Sequence, residues 1–411
     1  MPWSMLQGRV EALRLNLERA RDLSVRELAL DHVPLEEGVW DAAFDAIRSD
    51  SVSRLWELEQ LSTGIDRSPH PLHQRVAWQK LAAIQEQSED IFRECLELMG
   101  GLTFRERDLD NQICTFADEL INECARSVGR MLTTIAIPAH NGGRHAGARH
   151  IAHVQFPEWD VWTLPLVTFE YGQVAITDRP EIDAFARKSA IDVHHGLGAD
   201  QDVIEERIRA LLSDAFATYT LGPAYACALM LLRLDFVAPD PDCREFVAQR
   251  VAMVRGILAR IADGDVADLH DKLGKHWDQA LHLVLGTDPG AADPLERLAL
   301  DPATVFDTFN WFFLPQAAYA VDDWDTAVQW GSRWCKELRD PKLSPAVPAV
   351  APINRLRDAL NASWYARIHE PAWVTEGADV TRELCQQIID IRGRTRRPPG
   401  VELPGAIRPD P

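Results

Sequence analysis

Apolar residues recur at helical spacing through most of this chain, and the breaks between those runs divide it. Leu6, Val10, Leu13 and Leu17 follow the period of one apolar stripe and predict a helix over Ser4–Leu23. Val39, Trp40, Phe44 and Ile47 predict a second, and Leu55, Trp56 and Leu58 a third. A longer helix is expected over Leu72–Met99, carrying Val76, Leu81, Ile84, Ile91 and Cys95 and stopped by Gly100-Gly101. Asp108–Met131 places Ile113, Phe116, Leu120, Ile121, Cys124 and Val128 on one face. Residues 1–131 therefore read as an N-terminal helical bundle with short connections.

The texture then changes. Leu132–Ile137 is short and β-branched, and Arg149–Phe156 alternates Ala152, Val154 and Phe156 on one side, so both read as strands. Ala139–Gly147, rich in glycine, is long enough to close them as a small β-hairpin. Trp159–Val174 becomes helical a few residues in, because Pro165 is tolerable only near a helix start. A short helix over Pro180–Ala190, a turn over His194–Asp200 and a strongly periodic helix over Val203–Thr220 follow. Gly222-Pro223 breaks that helix, and Ala224–Leu234 is apolar nearly all round, as a deeply buried helix would be.

Beyond residue 235 the pattern is again helical: Asp242–Ala262, Val266–Leu285, Pro302–Val321, Trp324–Leu338, Asn354–Ile368 and Asp379–Ile391. Gly286–Pro294 and Arg339–Pro352 are candidate hinges. Trp311, Phe312, Phe313, Trp324, Trp330, Trp334, Trp364 and Trp373 crowd this half and are expected to fill its core. The expected division is a bundle over 1–131, a middle domain over 132–235, a C-terminal helical domain over 236–397 and a disordered Pro-rich tail over 398–411. The fold class is mainly α.

Composition narrows the function classes. The 411 residues are 46% hydrophobic and 26% charged, ordinary for a soluble globular protein, and no window is apolar enough to span a membrane. Met1-Pro2-Trp3-Ser4 shows no secretory signal, so cytoplasmic residence is expected. A net charge of −20 disfavours nucleic-acid binding, which rests on neutralising phosphates. The exception is the basic run Arg392–Arg397, which most simply solvates a chain end. The seven cysteines are odd in number and widely spread with no C-x-x-C pair, which excludes a disulfide framework as the organising device.

Two segments carry chemistry. Phe169-Glu170-Tyr171-Gly172-Gln173 keeps the frame of His-Glu-x-x-His, in which residues four apart on a helix hold one metal and the intervening Glu serves as general base. Glu206–Tyr225 holds Asp214, with Ala210 four residues before it, and runs into Gly222-Pro223-Ala224-Tyr225. Together these resemble bacterial metallopeptidase-like proteins of the gluzincin kind, with His-Glu-x-Gly-His on one helix and Glu-x-x-x-Asp on a later one. The resemblance covers Arg149–Tyr225 and implies a zincin-like middle domain. On it, the ligand positions are Phe169, Gln173 and Ala210, and Glu170, Gly172 and Asp214 are retained. Phe and Ala offer no lone pair to zinc and a Gln amide is a poor ligand, so no cofactor is expected.

The four histidines His140, His145, His150 and His153 form a weaker metal candidate; solvated loop histidines are the plainer account, and His150 and His153 fall on opposite strand faces. No G-x-S-x-G, phosphate-binding loop or dinucleotide fingerprint is present, and nothing sets His140-Asn141 or His194-His195 beside Cys227. The expectation is a pseudoenzyme: a catalytically degenerate metallopeptidase-like protein that binds a protein partner, as a regulatory subunit of a multi-component bacterial system. The alternative is a hydrolase with a rebuilt site using Glu170, Asp214 and nearby histidines.

Overall fold

The computed structural model describes residues 3–22, 37–67, 71–107, 109–130, 134–139, 151–155, 160–197, 200–234, 241–261, 265–285, 295–298, 300–340, 353, 355–370 and 372–396. The chain is mainly α-helical and forms two compact units, Met1–Phe216 and Ala217–Pro411. No described helix is long and apolar enough to cross a membrane.

The first unit opens with α1 (Trp3–Asp22), α2 (Glu37–Arg67) and α3 (Pro71–Glu106), which pack on one another. Leu6, Val10, Leu17, Leu58, Leu81, Ile84, Ile91 and Leu98 form their shared core, so most of the stripe read from the sequence is the buried face, whereas Trp56 and Val76, read as part of it, stand in solvent. Two expectations fail here. The two helices expected before residue 60 are one, since neither Pro nor Gly interrupts residues 39–58. Nor does α3 stop at Gly100-Gly101. A Cβ on Gly101 would lie 2.8 Å from the Pro138 carbonyl oxygen and 3.0 Å from the Ile137 side chain, so this glycine serves close packing rather than termination.

After α4 (Ile113–Ser127) come β1 (Ile135–Ala139) and β2 (Ile151–Gln155). The two-stranded sheet is present, but its pairing is parallel: Ile135 lies across from Ile151 and Ala139 across from Gln155. It is therefore not closed as an antiparallel hairpin. Side-chain alternation is the same in either direction, so the pattern does not distinguish them; the length of 140–150 permits the crossover that parallel strands need. On β1, Ala136 N–H donates to Asp118 Oδ1 (2.7 Å) and its carbonyl accepts from Arg105 Nη1 (2.7 Å), while Arg105 Nη2 pairs with Asp118 at 2.7 Å. This buried pair stands in for a neighbouring strand and satisfies backbone groups that the sheet leaves over.

A short 3₁₀ turn at Leu164–Leu166, carrying Pro165, leads into α5 (Val167–Thr177). α6 (Pro180–Leu197) follows and runs through His194 and His195, which the sequence placed in a turn; no helix breaker precedes Gly196. α7 (Gln201–Leu221) crosses from the first unit into the second.

In the second unit α7 ends at Gly222, whose φ of 71° suits glycine, and α8 (Pro223–Ala228) starts on Pro223 as expected. One π-helical turn, Leu229–Arg233, extends it. α9 (Pro241–Ile261), α10 (Asp265–Leu285) and α11 (Pro302–Phe312) come next, then α12 (Val321–Arg339), α13 (Leu356–His369) and α14 (Trp373–Arg396). The single helix expected over Pro302–Val321 breaks at Phe313, because Pro315 forces a new start. Trp324, Trp334, Trp364 and Trp373 are fully buried and Trp334 stacks on Trp373 at 5.3 Å, so the aromatic core is real; Trp311, 83% exposed, is no part of it. Most of the two candidate hinges and the tail 398–411 lie outside the described residues.

Candidate functional site

Phe169–Gln173 sits on α5 and Ala210–Asp214 on α7, and the two helices touch. A Cβ on Gly172 would meet Phe216 at 3.1 Å and the Ser213 carbonyl oxygen at 3.2 Å, so the missing side chain sets how closely α5 lies on α7. The Tyr171 and Phe216 rings meet edge-on at 6.0 Å. At the other end of α5, Arg209 Nη1 donates to Thr177 Oγ1 at 3.3 Å. Thr177 opposite Arg209 and Gly172 opposite Ser213 and Phe216 make the helices antiparallel.

Around this contact Phe169 is buried at 9% exposure, Ala210 at 1% and Asp214 at 0%. Glu170 and Gln173 are half-buried. Every residue from Ala210 to Met230 is buried, so Asp214 and the stretch around it have no solvent flank. Gln173 Nε2 is a buried donor without a hydrogen-bond partner among the described residues, whereas the Gln173 backbone carbonyl accepts from Thr177 Oγ1 at 2.8 Å. Burial pushes the Tyr171 phenol above its ordinary range.

An ion network that motif reading missed closes the Thr177 end. Arg209 Nη2 lies 2.6 Å from Asp183 Oδ1 and 2.6 Å from Glu205 Oε1, and Arg187 pairs with Asp183 at 2.8 Å. These residues join α6 to α7 beside the end of α5. Glu205 and Arg209 are four apart and legible as a helix pair; their tie to Asp183 and Thr177 leaves no local signal.

Gly222-Pro223-Ala224-Tyr225 occupies a second polar centre, within the second unit. Asn361 spans the chain break: its Nδ2 donates to the Leu221 carbonyl (2.8 Å) and its Oδ1 accepts from Ala224 N–H (2.8 Å). Arg357 Nη2 donates to Asp323 Oδ2 at 3.0 Å, and its guanidinium lies over the Tyr319 ring at 5.6 Å. Arg355 bridges Asp323 and Asp358, reaching Asp358 Oδ2 at 2.7 Å. Burial outweighs Arg355 and raises the Asp358 carboxyl to about 6, while the same ion pairs hold the Arg355 guanidinium firmly charged. Arg355 and Asp358 are three apart and legible as a local pair, whereas the ties to Asp323, Leu221 and Ala224 span tens of residues or more, which hides them from any motif search.

His140, His145 and His150 lie outside the described residues; His153 is half-buried on β2. Among the described residues no group of three or more His, Cys, Asp or Glu side chains is placed to hold a metal ion. All seven cysteines are free, and six are buried. Burial pushes the Cys95 thiol up to about 11 and raises Cys114 and Cys227 as well, which makes poor nucleophiles of them. Models of protein families, curated proteins and solved structures were each compared with this chain, and none matches.

Chemically, Phe169–Gln173 on α5 and Ala210–Asp214 on α7 carry two carboxylates, half-buried Glu170 and fully buried Asp214, together with a buried aromatic ring at Phe169 and an amide at Gln173. Phe169 and Ala210 supply no ligand atom, and a neutral amide at Gln173 is a weak one.

Proposed function

We propose that this protein is a catalytically degenerate, zincin-like pseudoenzyme that acts by binding a protein partner, as a regulatory subunit in a multi-component bacterial system. The observation that carries the reading is the burial of Phe169 at 9% exposure, at the position where the resembled family presents its first histidine. A buried ring there occupies volume that an open metal site would need for ligand and water. Ala210, equally sealed at 1% exposure, adds no donor atom. The antiparallel contact of α5 with α7 through Gly172 and Ser213 supports treating the two segments as halves of one site.

The alternative, hydrolysis at a rebuilt site, draws on Glu170, which is half-buried rather than sealed. Complete burial of Asp214 weighs against a second solvent-accessible acid there. Glu170→Gln separates the two readings. Binding of the natural partner, recovered by affinity capture from the source cells and titrated against both proteins, should be unchanged. Loss of a biological activity in Glu170→Gln, with folding and partner affinity intact, would make Glu170 a working catalytic carboxylate.

A further inference from the structure

A cavity of about 550 Å³ runs between α2 and α3, remote in sequence from α5 and α7 and within the first unit. That volume falls in the ~300–1,000 Å³ range of small-molecule sites. Its floor is apolar and buried, formed by Leu61, Ala77 and Ile84. Two large apolar side chains, one from each helix, line it while standing in solvent: Trp56 at 62% exposure and Val76 at 49%. Small residues keep the groove from filling. Gly64 lines it, and a Cβ built there meets nothing within 4 Å.

Charge in the groove is uneven. Arg54 and Glu57 neutralise each other at 2.5 Å. Lys80 also lines the cavity and makes no ion pair among the described residues. An ammonium at the exposed rim of an apolar groove, with no ion-pair partner among the described residues, suits a ligand with one anionic group and an apolar body. The lining covers residues 54–64 of α2, about 15 Å at 1.5 Å per residue, the reach of an extended chain of about twelve carbons. The large apolar side chains that both line the groove and stand in solvent are Trp56 and Val76. These two fall well short of the ~800 Å² per partner that a stable protein interface buries.

We propose that the α2–α3 groove binds a long-chain aliphatic carboxylate, its chain along Leu61, Ala77 and Ile84 between Trp56 and Val76, and its carboxylate on Lys80. The site is independent of the proposed partner-binding role and of the α5–α7 contact.

Titration of the full chain with dodecanoate, followed by calorimetry and by Trp fluorescence, tests this directly, with dodecanol as the neutral control. Saturable one-to-one binding of dodecanoate is expected. Lys80→Gln should weaken dodecanoate by about tenfold while leaving dodecanol unchanged, as the loss of one charge contact in a partly open groove would. Gly64→Leu should abolish both, because its side chain projects into the groove. The fold is not at risk in that variant, since the position is open and leucine suits a helix better than glycine. Absence of saturable binding, or undiminished binding by Gly64→Leu, would overturn the proposal. So would equal weakening of both probes in Lys80→Gln.

Discussion

Gln173 is where the α5–α7 contact is least well satisfied. Its side-chain nitrogen is buried with no acceptor among the described residues. An unmade hydrogen bond of that kind costs about 1–3 kcal/mol, whereas an apolar side chain of similar shape at the same place costs nothing in desolvation. Gln173→Met should therefore raise stability by about 1 kcal/mol in chemical denaturation. A loss of that size would instead mean the amide is held by a group that the apolar side chain cannot replace. The prediction bears on function: in a working metal site this position holds a ligand and improving its packing destroys the site, whereas in a pseudoenzyme it is free to become core.

At the scale of elements, the most demanding junction is Leu221–Gly222–Pro223–Ala224. Gly222 has φ of 71°, and a Cβ there would lie 2.5 Å from the Tyr319 ring. The close approach is fixed by Tyr319 N–H donating to the Tyr219 carbonyl at 2.8 Å and by Asn361 spanning the break. Gly222→Ala incurs left-handed strain and overpacking together, about 2–4 kcal/mol in equilibrium unfolding. A cost under 1 kcal/mol would show that Tyr319 yields easily. This break was legible in the sequence because Gly and Pro act locally, through φ and the missing N–H. For the same reason helix periodicity located α1, α4, α7 and α9 within a few residues. What stayed hidden depends on partners distant along the chain. Gly101 looked like a stop because its packing against Ile137 and Pro138 is invisible one-dimensionally. The parallel register of β1 and β2 is equally silent in an alternating pattern. The two segments proposed as a site stand out in the sequence only through the resemblance they carry; the burial of Asp214, the tie of Arg209 to Asp183 and the Asn361 bridge leave no local signal.

For the whole molecule, buried carboxylates couple stability to pH. Burial raises Asp358 from the ordinary 3.8 to about 6, with Arg355 opposing the shift, and burial likewise raises Asp118 in the first unit. The folded chain then holds the Asp358 proton more tightly than the unfolded chain does. Its contribution to stability is fully present below about pH 4 and is lost as pH rises through 6. Thermal unfolding between about pH 4 and 6 should therefore show a downward component that Asp358→Asn removes. An unchanged slope in that variant would place the coupling elsewhere.

We propose that Phe169, Gln173 and Ala210 stand where the resembled metallopeptidases hold zinc, and that this chain does without it. Zinc titration of the purified wild type beside Phe169→His/Gln173→His/Ala210→Glu tests it most directly, with circular dichroism to verify folding. Phe169→His/Gln173→His serves as the milder variant, because Ala210 is sealed at 1% exposure. The account predicts much less than one equivalent of zinc on the wild type and a clear gain in affinity on restoring the ligands, limited by missing supports for the new imidazoles. Stoichiometric, dialysis-resistant zinc on the wild type would contradict it, as would folded variants that bind zinc no better than the parent.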